Sequence, residues 1–143
     1  MSDDAKTADG GCYCGAVRFR VTLPSRFCAH CHCDNCRRAH GAAFVTWAGF
    51  RDEQFKLLEG ADELRRFETD TGATRSFCGR CGTTLLYQSP RWSGEVHVAL
   101  ATIEDAIDRP PQAHVYVDHR APWWTIDDHL PRYGGTTGTE KKS

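Results

Sequence analysis

The chain has 143 residues, a formal net charge of −1 and a near-neutral isoelectric point. That length suits one domain with a core of its own, and the balanced charge excludes a bulk field for nucleic acid or an anionic membrane surface. Thirteen glycines, four tryptophans and no long apolar run favour short strands and turns over a helical bundle.

The opening stretch MSDDAKTADG is polar and acidic, without a basic segment or an apolar stretch behind it. No secretory signal is expected, and nothing approaches the roughly 18 apolar residues of a membrane span. Residues 1–9 read as a disordered N-terminus and the protein as cytoplasmic. Gly15 to Leu23 then alternates, with Val17, Phe19, Val21 and Leu23 on one face, and predicts a half-buried strand stopped by Pro24. A second strand is expected over Phe27 to Cys33. Asp34 is the expected cap of a short helix through Ala39 that Gly41 stops.

Ala43 to Phe50 predicts a third strand. Gln54–Glu59 and Leu64–Thr69 predict a pair joined by the turn at Gly60-Ala61-Asp62. Arg75–Phe77 leads into the knuckle Cys78-Gly79-Arg80-Cys81-Gly82, and Thr83–Tyr87 leads out. Glu95 to Leu100 alternates again, and Thr102 to Ala106 predicts a helical turn. From Pro110 the segment reads as irregular, with one short strand at His114–Val117. The glycine- and threonine-rich residues 134–143 read as a disordered tail. The domain proper therefore spans 10–133 and is mainly β.

Eight cysteines carry the chemistry, in clusters Cys12-x-Cys14, Cys28-x-x-Cys31-x-Cys33-x-x-Cys36 and Cys78-x-x-Cys81. Cysteines this close in sequence rarely bridge one another, and a reducing compartment keeps thiols free, so thiolate-bound metal outweighs disulfides. Cys12, Cys14, Cys78 and Cys81 make a four-sulfur set suited to tetrahedral zinc with every position filled by protein. Such a site ties the first strand to the later hairpin. Cys31, Cys33 and Cys36 supply three sulfurs and leave one position for water, substrate or another ligand. If residues 28–33 are extended, Cys28, His30 and His32 face away from Cys31 and Cys33; a turn at Ala29-His30 would instead bring Cys28 in as a fourth ligand, and a histidine is the other alternative.

The remaining groups say less. His97 reads as a half-exposed strand residue, and His114, His119 and His129 as solvated surface, with the lining of a pocket as the alternative. Arg37 and Arg38 follow the three-sulfur cluster, and Arg37 is the candidate for holding a substrate carboxylate. Trp47, Trp92, Trp123 and Trp124 read as core or pocket wall.

Together, Gly11-Cys12-Tyr13-Cys14-Gly15-Ala16-Val17-Arg18-Phe19, Cys31-His32-Cys33-Asp34-Asn35-Cys36-Arg37 and Phe77-Cys78-Gly79-Arg80-Cys81-Gly82-Thr83 resemble the glutathione-dependent formaldehyde-activating enzyme family, which includes centromere protein V-like domains. The likeness runs from about Gly10 to about Tyr133. It implies a small mainly β domain of coiled antiparallel sheets, Mss4-like or β-tent, with zinc knuckles and short helical turns. It also implies two Zn²⁺ per chain, structural at Cys12, Cys14, Cys78 and Cys81, with the second at Cys31, Cys33 and Cys36. The implied activity is carbon–sulfur lyase chemistry that joins formaldehyde to glutathione as S-(hydroxymethyl)glutathione, or acts on another thiol and its adducts. The implied partner is then a small thiol, with neither nucleic acid nor membrane. Two other readings stay open: a non-catalytic zinc-stabilised binding module, and a redox-active, metal-free Cys31/Cys33/Cys36 cluster.

Overall fold

A computed structural model describes residues 6–142, so the expectation for residues 1–5 lies outside the described residues. The described chain is mainly β, with strands β1 (Thr7–Gly11), β2 (Arg18–Thr22), β3 (Phe27–Cys31), β4 (Val45–Arg51), β5 (Phe55–Glu59) and β6 (Leu64–Glu68). They are followed by β7 (Thr74–Cys78), β8 (Thr84–Gln88), β9 (Glu95–Ala99), β10 (Ala113–Val115), β11 (Arg132–Gly134) and β12 (Glu140–Lys142). A helix, α1 (Asp34–His40), sits between β3 and β4, and short 3-10 turns punctuate the rest. Contacts gather into two compact units. One takes the chain up to Arg26 together with Ala48–Asp108; the other takes Phe27–Trp47 and the chain from Arg109 onward.

In the first unit, β1, β2 and β5 form an antiparallel sheet in the order β1-β2-β5, while β6 to β9 run antiparallel in the order β9-β8-β7-β6. The alternation expected for the first strand is real: Val17, Phe19 and Val21 are buried. They pack in one core with Ala48, Phe50, Leu85, Val96, Val98 and Ile103. Strand β1 is absent from the sequence pattern, and Thr7–Asp9 are ordered in it rather than disordered. Its sequence TADGG has no apolar rhythm, and what admits it is close approach. A Cβ on Gly10 would lie 2.1 Å from the Thr102 carbonyl and 2.7 Å from the Phe19 ring. Asp9 adds a two-point pair to Arg20 at 2.7 and 3.0 Å.

The expected pairing of the segments on either side of Gly60 does not occur. β5 pairs with β2, and β6 pairs with β7 in the other sheet. Gly60 adopts φ +89° with its Cα pressed on Ala16, where a Cβ would stand 2.2 Å from the Ala16 carbonyl oxygen. The chain therefore crosses there instead of folding back as a hairpin. The helical turn expected at Thr102–Ala106 forms earlier, as a 3-10 turn over Leu100–Thr102.

In the second unit the strand order is β12-β11-β10-β3, with the start of β4 beside β3. The short strand expected near His114 forms as β10, but its pairing is parallel: Ala113, His114 and Val115 lie opposite Ala29, His30 and Cys31. The tail expected to be disordered from 134 is corrected over 134–142. β11 and β12 form an antiparallel pair, Arg132 opposite Lys142 and Gly134 opposite Glu140. Composition misses this because local backbone geometry, not apolar content, makes the turn: Gly135 and Gly138 take φ +75° and +79°. Gly138 also offers its carbonyl to Tyr116 N at 2.8 Å.

The core of the first unit predicts its response to truncation. Phe50 is fully buried, so Phe50→Ala should cost about 3–5 kcal/mol. Phe67 is 62% exposed, and Phe67→Ala should stay within about 0.5 kcal/mol. Denaturant midpoints of the two variants check both values.

Candidate metal centres

The first centre is built from two turns of similar design. After β1, Cys12 N bonds to the Val17 carbonyl at 3.1 Å and Gly15 N to the Cys12 carbonyl at 3.1 Å. Between β7 and β8, Cys78 N bonds to the Thr83 carbonyl at 2.9 Å and Gly82 N to the Cys78 carbonyl at 2.8 Å. Gly15 and Gly82 take φ +83° and +84°, a conformation that favours glycine and lets each chain curl around its sulfurs. Tyr13 N reaches across to the Thr83 hydroxyl at 3.0 Å and joins the two turns.

The result is that the sulfurs of Cys12, Cys14, Cys78 and Cys81 all lie within 4.8 Å of one another. Cys12 and Cys14 are 3.7 Å apart, and Cys14 and Cys78 3.8 Å. A tetrahedron with zinc–sulfur bonds of about 2.3 Å has sulfur–sulfur edges of about 3.8 Å, so the set has the size of a zinc site. Donors already face these sulfurs: Val17 N is 3.2 Å from Cys12 Sγ, and Arg80 N is 3.3 Å from Cys78 Sγ. The Thr83 hydroxyl lies 3.2 Å from Cys81 Sγ. That hydroxyl, aided by the backbone N–H groups of Thr83 and Cys14, holds the Cys81 thiol down to about 5. Such a group is a ready thiolate ligand.

The second centre lies where β3 passes into α1. Cys31 ends the strand, Cys33 caps the helix and Cys36 is buried in its first turns. The cap is the sulfur of Cys33, which accepts from Cys36 N at 3.3 Å, and not Asp34 as expected. Asp34 is the first helical residue, where its charge suits the helix N-terminus. The three sulfurs lie within 4.8 Å of one another. The Trp47 indole Nε1 donates to Cys36 Sγ at 3.4 Å, so this tryptophan is part of the centre's wall. Cys33, then Cys36, then burial push the Cys31 thiol well above its ordinary value. Three sulfurs this close resist carrying charge together, and a bound cation removes that resistance.

Cys28 stands outside this group. It is buried on β3 at an odd spacing from Cys31, and the strand runs unbroken between them, so the two face opposite sides. His30 and His32 share that other side. His30 Nδ1 pairs with the Thr46 hydroxyl at 2.8 Å, and His32 Nε2 with His114 Nδ1 at 2.8 Å. His32 is fully buried; that burial, then the nearness of His114 and His30, takes its pKa down to about 4.

Other residues depart from their expected places. His114 is not solvated surface but 1% exposed, bonded through Nε2 to the Asp128 carboxylate at 2.9 and 3.1 Å. His97 is buried, with Nε2 3.0 Å from a Glu95 oxygen. Trp123 is exposed at 68% and is neither core nor wall. Arg37 spends Nη1 on the His119 carbonyl at 2.9 Å and on Asp34 at 3.3 Å, so its guanidinium ties α1 to the segment after β10. Nothing in the sequence singles out Asp128, because 96 residues separate it from His32 and only the fold brings them into one chain of bonds.

The chain is similar to several known proteins. The family model described as glutathione-dependent formaldehyde-activating enzyme matches residues 7–119. A protein of Halomonas elongata, provisionally named a glutathione-dependent formaldehyde-activating enzyme, is 31% identical over 126 residues, covering 83% of this chain and 80% of its own length. An uncharacterized lyase of Schizosaccharomyces pombe is 27% identical over 79 residues, covering 55% of this chain and 56% of its own. A crystal structure of a Rhodobacter sphaeroides protein superposes with a TM-score of 0.60 at 31% identity, covering 68% of this chain and 89% of that one. With its sulfur clusters, its mainly β sheets and a family match over most of its length, the chain belongs to the glutathione-dependent formaldehyde-activating enzyme family.

Proposed function

We propose that the protein is a zinc-dependent enzyme of the carbon–sulfur lyase type, acting on glutathione or another small thiol and its aldehyde adducts. The observation that carries the reading is the pair of unequal sulfur sets: four cysteines in one, three in the other, and no further His, Cys, Asp or Glu joining the three among the described residues. Four thiolates complete a tetrahedral zinc and serve folding, whereas three hold a metal and leave room for a substrate. A zinc ion held by Cys31, Cys33 and Cys36 would bind a thiol sulfur and favour its thiolate form.

The reaction is an addition and its reverse. The thiol sulfur bonds to the carbonyl carbon, the C=O π pair moves to oxygen, and the thiol's proton ends on that oxygen. No oxidant is required. The chain's own residues set the stage: Cys36 N orients the Cys33 sulfur, and Trp47 Nε1 donates to Cys36 and spreads its charge. Three thiolates around zinc leave net negative charge, which favours thiol exchange over activation of water. Arg37 keeps a role in holding a substrate carboxylate only through nitrogens other than Nη1, which already has two partners.

A non-catalytic module with two closed zinc sites is the competing reading. Cys28 would have to complete the second site, and its place outside the sulfur group favours the enzyme. The formal charge of −1 favours a small-molecule partner over nucleic acid. Among the described residues no helix is long and apolar enough to cross a membrane.

Protein prepared under reducing conditions should contain two zinc ions per chain. X-ray absorption should then fit a mixture of ZnS4 and ZnS3 with one light atom, moving toward ZnS4 when glutathione is added. Full sulfur coordination at both zincs without added thiol would sink the enzyme reading. Cys33→Ser should keep the helix cap, since serine is a favoured capping residue, while lowering zinc to one per chain and abolishing turnover of hydroxymethyl-thiol adducts. Cys78→Ser should instead remove the ion that supports folding, seen as a large fall in thermal midpoint.

A further inference from the structure

The function proposed above uses one side of β3, and the other side holds a chain of titratable groups, two buried histidines ending on a partly exposed carboxylate, that it leaves unexplained. Asp128, His114 and His32 are joined in series, carboxylate to imidazole at 2.9 Å and imidazole to imidazole at 2.8 Å. Phe44 and Trp124 close over the inner end, with ring centroids 5.1 and 6.1 Å from His32. The two histidines are 0% and 1% exposed, while the Asp128 side chain is 42% exposed.

The series has a direction. An ionised carboxylate only accepts, so His114 Nε2 carries the hydrogen it receives. In a neutral ring that leaves His114 Nδ1 bare, and it accepts from His32 Nε2–H. His32 is then held as a single tautomer, with Nδ1 buried and bonded to no described residue. The backbone adds a second grip, since His32 N donates to the Val115 carbonyl at 3.0 Å. His114 is itself anchored from the residue before β11, its N–H donating to the Pro131 carbonyl at 2.9 Å. Asp128 is set by Leu130 N at 3.0 Å.

His32 lies between Cys31 and Cys33 in the chain. Any rotation of the backbone at His32 swings those two sulfurs relative to each other, and a three-ligand centre has no fourth protein ligand to restrain them. We infer that Asp128, acting through His114 on His32, is a positioning residue for the Cys31/Cys33/Cys36 centre and sets how firmly that centre keeps its metal. The inference rests on the zinc reading above. Asp128 and Trp124 both lie beyond the span 7–119 matched by the family model, so the outer end of the brace comes from the chain's C-terminal segment while His32 and His114 lie within that span.

Two measurements test it on the full-length, zinc-loaded protein. Zinc release to a chromogenic chelator should show two phases, the faster from the three-cysteine centre. Asp128→Asn should speed the faster phase about tenfold or more, the size expected when an outer partner of a metal centre is lost. It should leave the slower phase unchanged, which also shows that the first unit remains folded. Asp128→Glu, which keeps the carboxylate, should restore most of the retention. Long-range proton–nitrogen NMR should find the His32 hydrogen on Nε2 alone in the native protein, and a mixed tautomer in Asp128→Asn. Equal acceleration of both phases would mean a general loss of stability and would overturn the inference, as would no change in either, or a hydrogen on His32 Nδ1 in the native protein. A native protein that holds one zinc would overturn the zinc reading itself, and the inference with it.

Discussion

The interaction on which the first unit depends is the meeting of four sulfurs from chain segments 64 residues apart, at Cys14 and Cys78. Thiolates repel, so a cluster of this size is an electrostatic liability unless a cation binds it. The turns around Cys12 and Cys78 are already shaped for that cation. Backbone N–H groups face the sulfurs, and two glycines take a left-handed conformation that a side chain would strain. With zinc in place the repulsion becomes a cross-link. It would close a loop containing β2, β3, α1, β4, β5, β6 and most of β7, and the sulfurs sit against the buried face of β2: Cys12 and Cys78 belong to the same core as Val17, Phe19 and Val21.

The second unit solves a different problem. On the proposed reading a centre with three protein ligands is useful because it is incomplete, yet an incomplete set is poorly restrained. Restraint comes from around the cysteines rather than from a fourth. The helix cap and Trp47 hold Cys33 and Cys36 on one side of β3, while the parallel pairing with β10 and the histidine series hold the other. On the proposed reading, rigidity supplied from behind the strand would leave the front free for substrate.

Much of this is legible in the amino-acid sequence. The three cysteine motifs mark the candidate ligands and their type, and the alternation Val17-x-Phe19-x-Val21 marks a strand with one buried face. Spacing does not show that Cys33, not Asp34, caps α1, because a sulfur acting as cap and ligand leaves no separate trace in composition. Nor does it show that Gly60 ends one sheet and begins another. The turn chemistry there matches a hairpin, and only the contact with Ala16 decides against one.

What the sequence by itself determined is therefore local: which residues can bind metal, which segments are strands, and that the cysteines fall into three tight motifs. Those follow from side-chain chemistry and from periods of two to four residues. The tertiary structure alone decided that Cys28 turns away from the three-sulfur centre. It also decided that His114 is buried, and that Asp128 reaches His32 across 96 positions. The physical reason is that parallel pairing and burial join distant segments, and no short-range pattern encodes which distant partner a side chain will meet.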